Sequence, residues 1–241
     1  RLARDRWTRF QAHAAARGLT ATSALLACYA AVLAAWSARP AFTLNLSLFH
    51  RPPLHPQIEQ VVGDFTSTTL LATESPAGEA FAAAAARLQA RLTADLEHRR
   101  FGGLRVMREL SQHRGEAPLF PVVFTSGLSM GAPEQLRGGR YVHGLSQTPQ
   151  VLLDHQVGET GDGLLLTWDA AEDRFLPGTL DAMFAAYTAL LHALADAPEA
   201  WSDAAGRELP AAQQAARARV NRSEGAPPRD TLHAPFVRQA A

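Results

Sequence analysis

Hydrophobic and polar positions change period several times along this chain, and each change marks an element. Residues 4–17 carry apolar positions at helical spacing among arginines and stop at Gly18, which predicts an amphipathic helix. Thr20 or Thr22 can cap a second helix whose apolar stripe holds Leu25, Cys28, Tyr29, Val32, Leu33 and Trp36. That stripe gives Cys28 a structural place in a core. The run "FTLNLSLF", 42–49, alternates with the period of a strand and ends at the loop "HRPPLHP". A second strand, "DFTSTTLLA", covers 64–72. Phe81, Leu88, Leu92 and Leu96 mark a long alanine-rich helix, broken at Gly102-Gly103 before a shorter one around Val106 to Leu110.

The second half is richer in strands. "PVVFTSGL", 121–128, is a strand opened by proline, which suits a strand end or a sheet edge. A glycine-rich connection, 129–140, leads through "YVHGL" to "SQTPQVLLDHQV", whose residues 150–157 read as a strand. The turn "GETGDG", 158–163, joins it to "LLLTWD", 164–169, as a hairpin. After Pro177, Leu180, Met183, Phe184, Tyr187, Leu190, Leu191 and Leu194 set out a strong helix, and Pro198 follows it. From about Ser202 the chain turns polar, as a tether between domains does. The order α-α-β-β-α-α-β-β-β-α predicts an α/β (α+β) layered sandwich over residues 1–201, with 202–241 as linker.

Composition narrows the classes of function. The chain has 241 residues, 47% hydrophobic, enough for a sizeable core, with 23 basic and 23 acidic residues and no lysine. That balance points to no nucleic-acid or membrane-surface partner. The only cysteine is Cys28, so no disulfide framework or thiolate cluster forms, as expected in a reducing cytoplasm. The apolar run Ala24 to Trp36 is too short to span a bilayer. Arg1 falls directly into a helix pattern without signal-peptide features, so the chain reads as a piece of something longer.

Most familiar chemistries find no footing. His50, His55, His98, His113, His143 and His155 lack ligand spacing, so no metal site is expected. No glycine-rich loop has nucleotide-binding spacing, and Thr125 before Ser126 breaks the nucleophile-elbow pattern. Asp154 and His155 point to opposite strand faces and cannot readily serve one serine. What remains is a set of polar residues inside apolar strands: Asn45, Thr125, and Asp154 with Gln156. One reading makes their face solvated or mutually satisfied. The other makes it a cleft where a carboxylate, an amide and a hydroxyl converge to move protons and hold an oxyanion. The pattern alone leaves both open.

Four stretches carry a resemblance. "VGDFTSTTLL" (62–71), "PVVFTSGL" (121–128), "SQTPQVLLDHQV" (146–157) and "WDAAEDRFLP" (168–177) resemble, in order and spacing, the core motifs of heterocyclization domains. These are condensation-domain variants of nonribosomal peptide synthetases. The tail from Leu209, with Asn221 and Phe236, resembles the linker into an adenylation domain, so 202–241 is expected to hold the interdomain linker and the start of that domain. The family's D-x-x-x-x-D-x-x-S motif is missing; Asp169 and Asp173 stand one residue too close. The chain therefore resembles the C-terminal lobe of such a domain, a chloramphenicol-acetyltransferase-like fold that lines half of a tunnel.

The resemblance implies a reaction and a cast of residues. An acyl group and a Cys, Ser or Thr residue arrive on phosphopantetheinyl carrier proteins, form an amide, then close and lose water to give a thiazoline or oxazoline. Asp154, Thr125 and Asn45 fall at the family's catalytic positions, and Gln150, Ser126 and Gln147 at positions lining the pocket. Asp64 in "GDFT" is expected to fix a loop. No cofactor is expected to be bound by this segment itself. Expected partners are the N-terminal lobe of the same domain, upstream and downstream carrier proteins and the adjoining adenylation domain. A non-catalytic lobe that docks carrier proteins, and a condensation domain that forms only the amide, are the alternatives.

Overall fold

Alternating strands need one face buried, and here a single helical layer buries it. The computed structural model describes residues 1–39, 41–76, 78–116, 118–128, 143–204, 209–222 and 233–240. Two units emerge, Arg1–Glu208 and Leu209–Ala241. In the first, strands β1 (Leu2–Ala3), β2 (Ala41–Phe49), β3 (Thr66–Glu74), β4 (Val122–Ser126), β5 (Leu153–Thr160) and β6 (Gly163–Ala170) form one sheet. Its order is β1-β6-β5-β4-β2-β3. The β2–β4 and β4–β5 pairs are parallel and the others antiparallel. This is the layered α/β arrangement that the element order predicts.

Helices α1 (Arg4–Ala15), α2 (Ala21–Trp36), α3 (Phe81–Glu97) and α5 (Thr179–Asp196) supply the covering layer. Leu44, Leu46, Leu71, Phe124, Leu153, Val157, Leu164 and Leu166 come from the sheet. They share a core with Trp7, Phe10, Leu25, Tyr29, Leu88, Tyr187, Leu191 and Trp201. Truncating one such side chain to alanine costs about 2–5 kcal/mol. Thr20, not Thr22, caps α2: its hydroxyl accepts the Ser23 N–H at 3.1 Å. Cys28 is fully buried in this layer, and burial pushes its thiol up.

The second helix after Phe81, α4, runs over Gly103–Arg114 and so is longer than the stretch around Val106 to Leu110. Gly102-Gly103 does more than break a helix. A Cβ at Gly103 would stand 2.7 Å from the Thr68 hydroxyl, so glycine lets α4 begin directly against β3. Gly163 is a second such place: its φ is +133°, and a Cβ would meet Leu2 O at 2.2 Å, where β1 crosses the start of β6. Strand β1 itself was too short to show in the pattern.

Two boundaries differ from the sequence expectation. β3 starts at Thr66, because the Asp64 carboxylate accepts the Thr66 N–H at 2.8 Å and turns the chain there. β5 starts at Leu153 and runs to Thr160, so Gly158 and Glu159 are strand, not turn. The hairpin turns on Gly161-Asp162 alone, with Thr160 facing Gly163. Arg4 of α1 fastens it from outside, donating to the Thr160 and Gly161 carbonyls and pairing with Glu159 at 3.0 Å. The connection at 129–140, with Tyr141 and Val142, lies outside the described residues.

In the second unit, α6 (Ala211–Asn221) and α7 (Ala234–Gln239) are helical where a polar tether was expected. Alanine, glutamine and arginine are good helix formers, and Pro210 opens α6. α6 buries no residue, which is why hydrophobic patterning did not announce it. Asn221 and Phe236 are both exposed.

Candidate active site on the open face of the sheet

The face of the sheet turned away from the core collects the polar strand residues. Register sets Leu70, Asn45, Val123, Asp154 and Asp169 in one row across β3, β2, β4, β5 and β6. The next row is Thr68, Ser47, Thr125, Gln156 and Thr167. Paired residues project to the same side of a sheet, so Asn45, Thr125 and Asp154 share one face. Asn45 and Asp154 stand two strand spacings apart, about 10 Å. Thr125 lies one pleat along on the strand between them. Three residues far apart in sequence are thus brought together by parallel pairing.

Asp154 is 8% exposed. Gln156 Nε2 donates to its Oδ2 at 2.9 Å, while Oδ1 is buried and has no hydrogen-bond partner among the described residues. Burial pushes this carboxyl above the usual carboxylate range, Gln156 pulls it down, the facing Asp169 carboxylate pushes it up again and Ser146 opposes. Asn45 Oδ1 is likewise buried with no donor among the described residues. Two acceptors in one row therefore lack donors among the described residues. An unsatisfied buried polar atom costs about 1–3 kcal/mol, so the row is not there for stability alone. Mutual satisfaction, one of the two readings of the pattern, accounts only for the Gln156–Asp154 bond.

One residue along β5 the situation reverses. His155 is fully buried on the helical side. Its Nδ1 donates to the Thr167 carbonyl at 3.1 Å, and its Nε2 accepts the Tyr187 hydroxyl at 2.9 Å. Tyr29, Phe124, Trp168 and Tyr187 surround it edge-on. Burial lowers its pKa to about 4, so the ring is neutral. Asp154 and His155 do point to opposite faces.

The pocket-lining expectations fare differently. Ser126 is not brought to the open face. It lies on the helical side, where its hydroxyl and that of Thr22 in α2 are 3.1 Å apart in a hydrogen bond. Period-two alternation from Thr125 requires this. Gln150 is an exposed turn residue with φ +68°, ahead of β5 rather than in it. Gln147 is exposed on the segment before that turn. Asp64 holds its turn as expected, its carboxyl lowered by the Thr66 hydrogen bonds.

Sequence reasoning missed Asp169 as a neighbour of Asp154, and with it the Ser146 N–H that donates to Asp169 Oδ2 at 3.1 Å. The signal was present in the Gly161-Asp162 dipeptide, a two-residue hairpin loop that fixes the register. Among the described residues no group of three His, Cys, Asp or Glu side chains is placed to hold a metal ion, and no helix is long and apolar enough to cross a membrane.

A protein-family model described as "Condensation domain" matches residues 1–206. The chain is 44% identical over 235 residues to phenyloxazoline synthase MbtB of Mycobacterium tuberculosis (strain ATCC 25618 / H37Rv), covering 95% of this chain and 16% of that protein. Identity to pyochelin synthetase PchF of Pseudomonas aeruginosa (strain UCBPP-PA14) is 44% over 209 residues, covering 84% of this chain and 11% of PchF. The chain therefore spans a small part of these relatives. Among solved structures it superimposes on the EpoB NRPS cyclization-docking bidomain from Sorangium cellulosum with a TM-score of 0.73 at 40% identity. That match covers 82% of this chain and 41% of the other.

Proposed function

This chain belongs to the Condensation domain family of nonribosomal peptide synthetases, and we propose that its open sheet face is one wall of a heterocyclization site. The reaction joins a carrier-bound acyl group to a carrier-bound Cys, Ser or Thr and then closes the side chain into a thiazoline or oxazoline. The observation that carries this reading is Asp154: a buried carboxyl with one oxygen that has no donor among the described residues, in a row with an asparagine oxygen in the same state. The names of relatives support it, one a phenyloxazoline synthase and one a cyclization-docking bidomain.

The proton inventory fits one carboxyl. Ring closure adds the thiol or hydroxyl to the amide carbonyl, and that oxygen later leaves as water. Its two hydrogens come from the attacking group and from the amide nitrogen. Asp154 trades protons in both stages: it gives one to the carbonyl oxygen and takes one from the attacking group, then gives one to the resulting hydroxyl, which leaves as water, and takes the amide nitrogen's. A carboxyl raised by burial can do both near neutral pH. Thr125 gives the developing oxyanion a hydroxyl donor, and the Asn45 amide positions the intermediate. Gln147 and Gln150, exposed before β5, border the approach.

The other wall would come from the N-terminal lobe of the same domain, with carrier proteins delivering both substrates on phosphopantetheine. The stretch 202–241 is assigned to the linker into an adenylation domain. Within the intact synthetase loaded with both substrates, mass spectrometry of the carrier-bound product decides. We expect a species one water lighter than the open amide. An open amide alone would overturn cyclization in favour of plain condensation, and no condensed product would favour a docking lobe.

A further inference from the structure

Asp154 does not face its row alone. In the β5–β6 register its direct partner is a second carboxylate, Asp169, and facing side chains in such a pair have Cβ atoms about 5 Å apart. Like charges so placed repel, so a chain that puts them there has either a cost or a use. The two carboxyls also differ in their donors. Asp169 Oδ2 accepts a backbone N–H from Ser146, a donor that suits a charged oxygen. Asp154 Oδ2 takes a side-chain amide and its Oδ1 has no partner among the described residues. The free oxygen is where a proton can sit and be handed on.

We propose that Asp169 is a positioning residue of this site: held by Ser146, its carboxylate faces Asp154 across the hairpin and keeps the one proton of the pair on Asp154. This rests on the reading of Asp154 as the proton carrier. It adds that the resting site is poised as a donor, so the first proton moved goes to the substrate oxygen. Among the described residues the groups around Asp154 leave Asp169 as the source of charge. β4 and β2 present Val123 and Asn45, β5 contributes the neutral Gln156, and the lead-in segment offers the Ser146 hydroxyl. From the helical layer Tyr29 is a titratable group that feels Asp154, its own hydroxyl pushed up by burial and by that carboxylate. His155 is held neutral on the other side.

The test reads Asp154 itself. Difference infrared spectroscopy of the intact synthetase follows the protonated carboxyl band that Asp154→Asn removes. In Asp169→Asn, which keeps an oxygen for the Ser146 N–H, the band's titration midpoint falls by about one pH unit. Asp169→Glu, which keeps the charge, holds it near the parental value. An unchanged midpoint in Asp169→Asn overturns the proposal, whatever the ring-forming assay gives. If Asp169→Asn does not fold, Asp169→Ser is measured in its place, with the same two outcomes. Failure of wild type to form any ring would instead strike the reading of the site and leave this midpoint comparison standing.

Discussion

Asp154 and His155 are neighbours in sequence and nearly opposite in circumstance. Both are buried, and both have the ionisation equilibrium that burial dictates, the carboxyl raised and the imidazole lowered. His155 has both ring nitrogens matched and an aromatic box around it. Asp154 keeps an oxygen without a donor among the described residues. Burial and a shifted pKa are therefore shared by a structural residue and the proposed proton carrier. What separates these two is hydrogen-bond satisfaction: His155 has both ring nitrogens matched, while Asp154 keeps an oxygen open on the face where we place the substrate. Thr125 and Ser126 repeat the contrast one strand away, Ser126 bonded to Thr22 on the helical side and Thr125 on the open face.

That contrast can be broken in five ways, and the largest effect lies with His155. Its folded pKa, about 4, is below the ordinary 6.5. A depressed pKa gives stability that is present above 6.5 and lost as the pH falls towards 4. The loss is about 3 kcal/mol, from some 1.4 kcal/mol per unit. Urea titrations at pH 7 and pH 4 measure it, and in His155→Phe this part of the acid loss disappears. Tyr187→Phe comes next. Removing the donor to Nε2 costs about 1–3 kcal/mol and lowers the melting temperature without changing the ratio of ring to open product. Ser126→Ala costs about 0.5–1.5 kcal/mol and also spares the chemistry. Thr125→Val does the reverse, with a slower ring closure and little change in melting. Smallest is the effect of Asp154→Asn on stability. A carboxyl whose folded pKa is raised favours the fold at low pH and loses that contribution as the pH rises. The asparagine variant therefore melts at pH 7 no lower than the parent.

Much of this was legible in the sequence, for particular reasons. Strong alternation in 42–49 placed Asn45, and the apolar run in 121–128 placed Thr125, because one buried face enforces period two. Convergence of Asn45, Thr125 and Asp154 on one face came from motif order, since parallel pairing of β2, β4 and β5 leaves no local mark. Parity explains where Ser126 lies: a residue beside Thr125 must face the other way. The hairpin was seen but its turn was set too wide. A turn over 158–163 would face Asp154 with Thr167, whereas the two-residue turn at Gly161-Asp162 faces it with Asp169. Two residues of register keep the face and change the partner, which is why the second carboxylate escaped notice. Helix α6 was missed because it buries nothing.

The most direct measurement is the product carried by the intact synthetase with Asp154→Asn, run beside Tyr187→Phe. The account predicts that the Asp154 variant condenses its substrates but accumulates the open amide, with ring closure slowed about 10²- to 10⁴-fold, while the Tyr187 variant keeps the wild-type ratio of ring to open amide. Fully dehydrated rings from Asp154→Asn at the wild-type rate would contradict it.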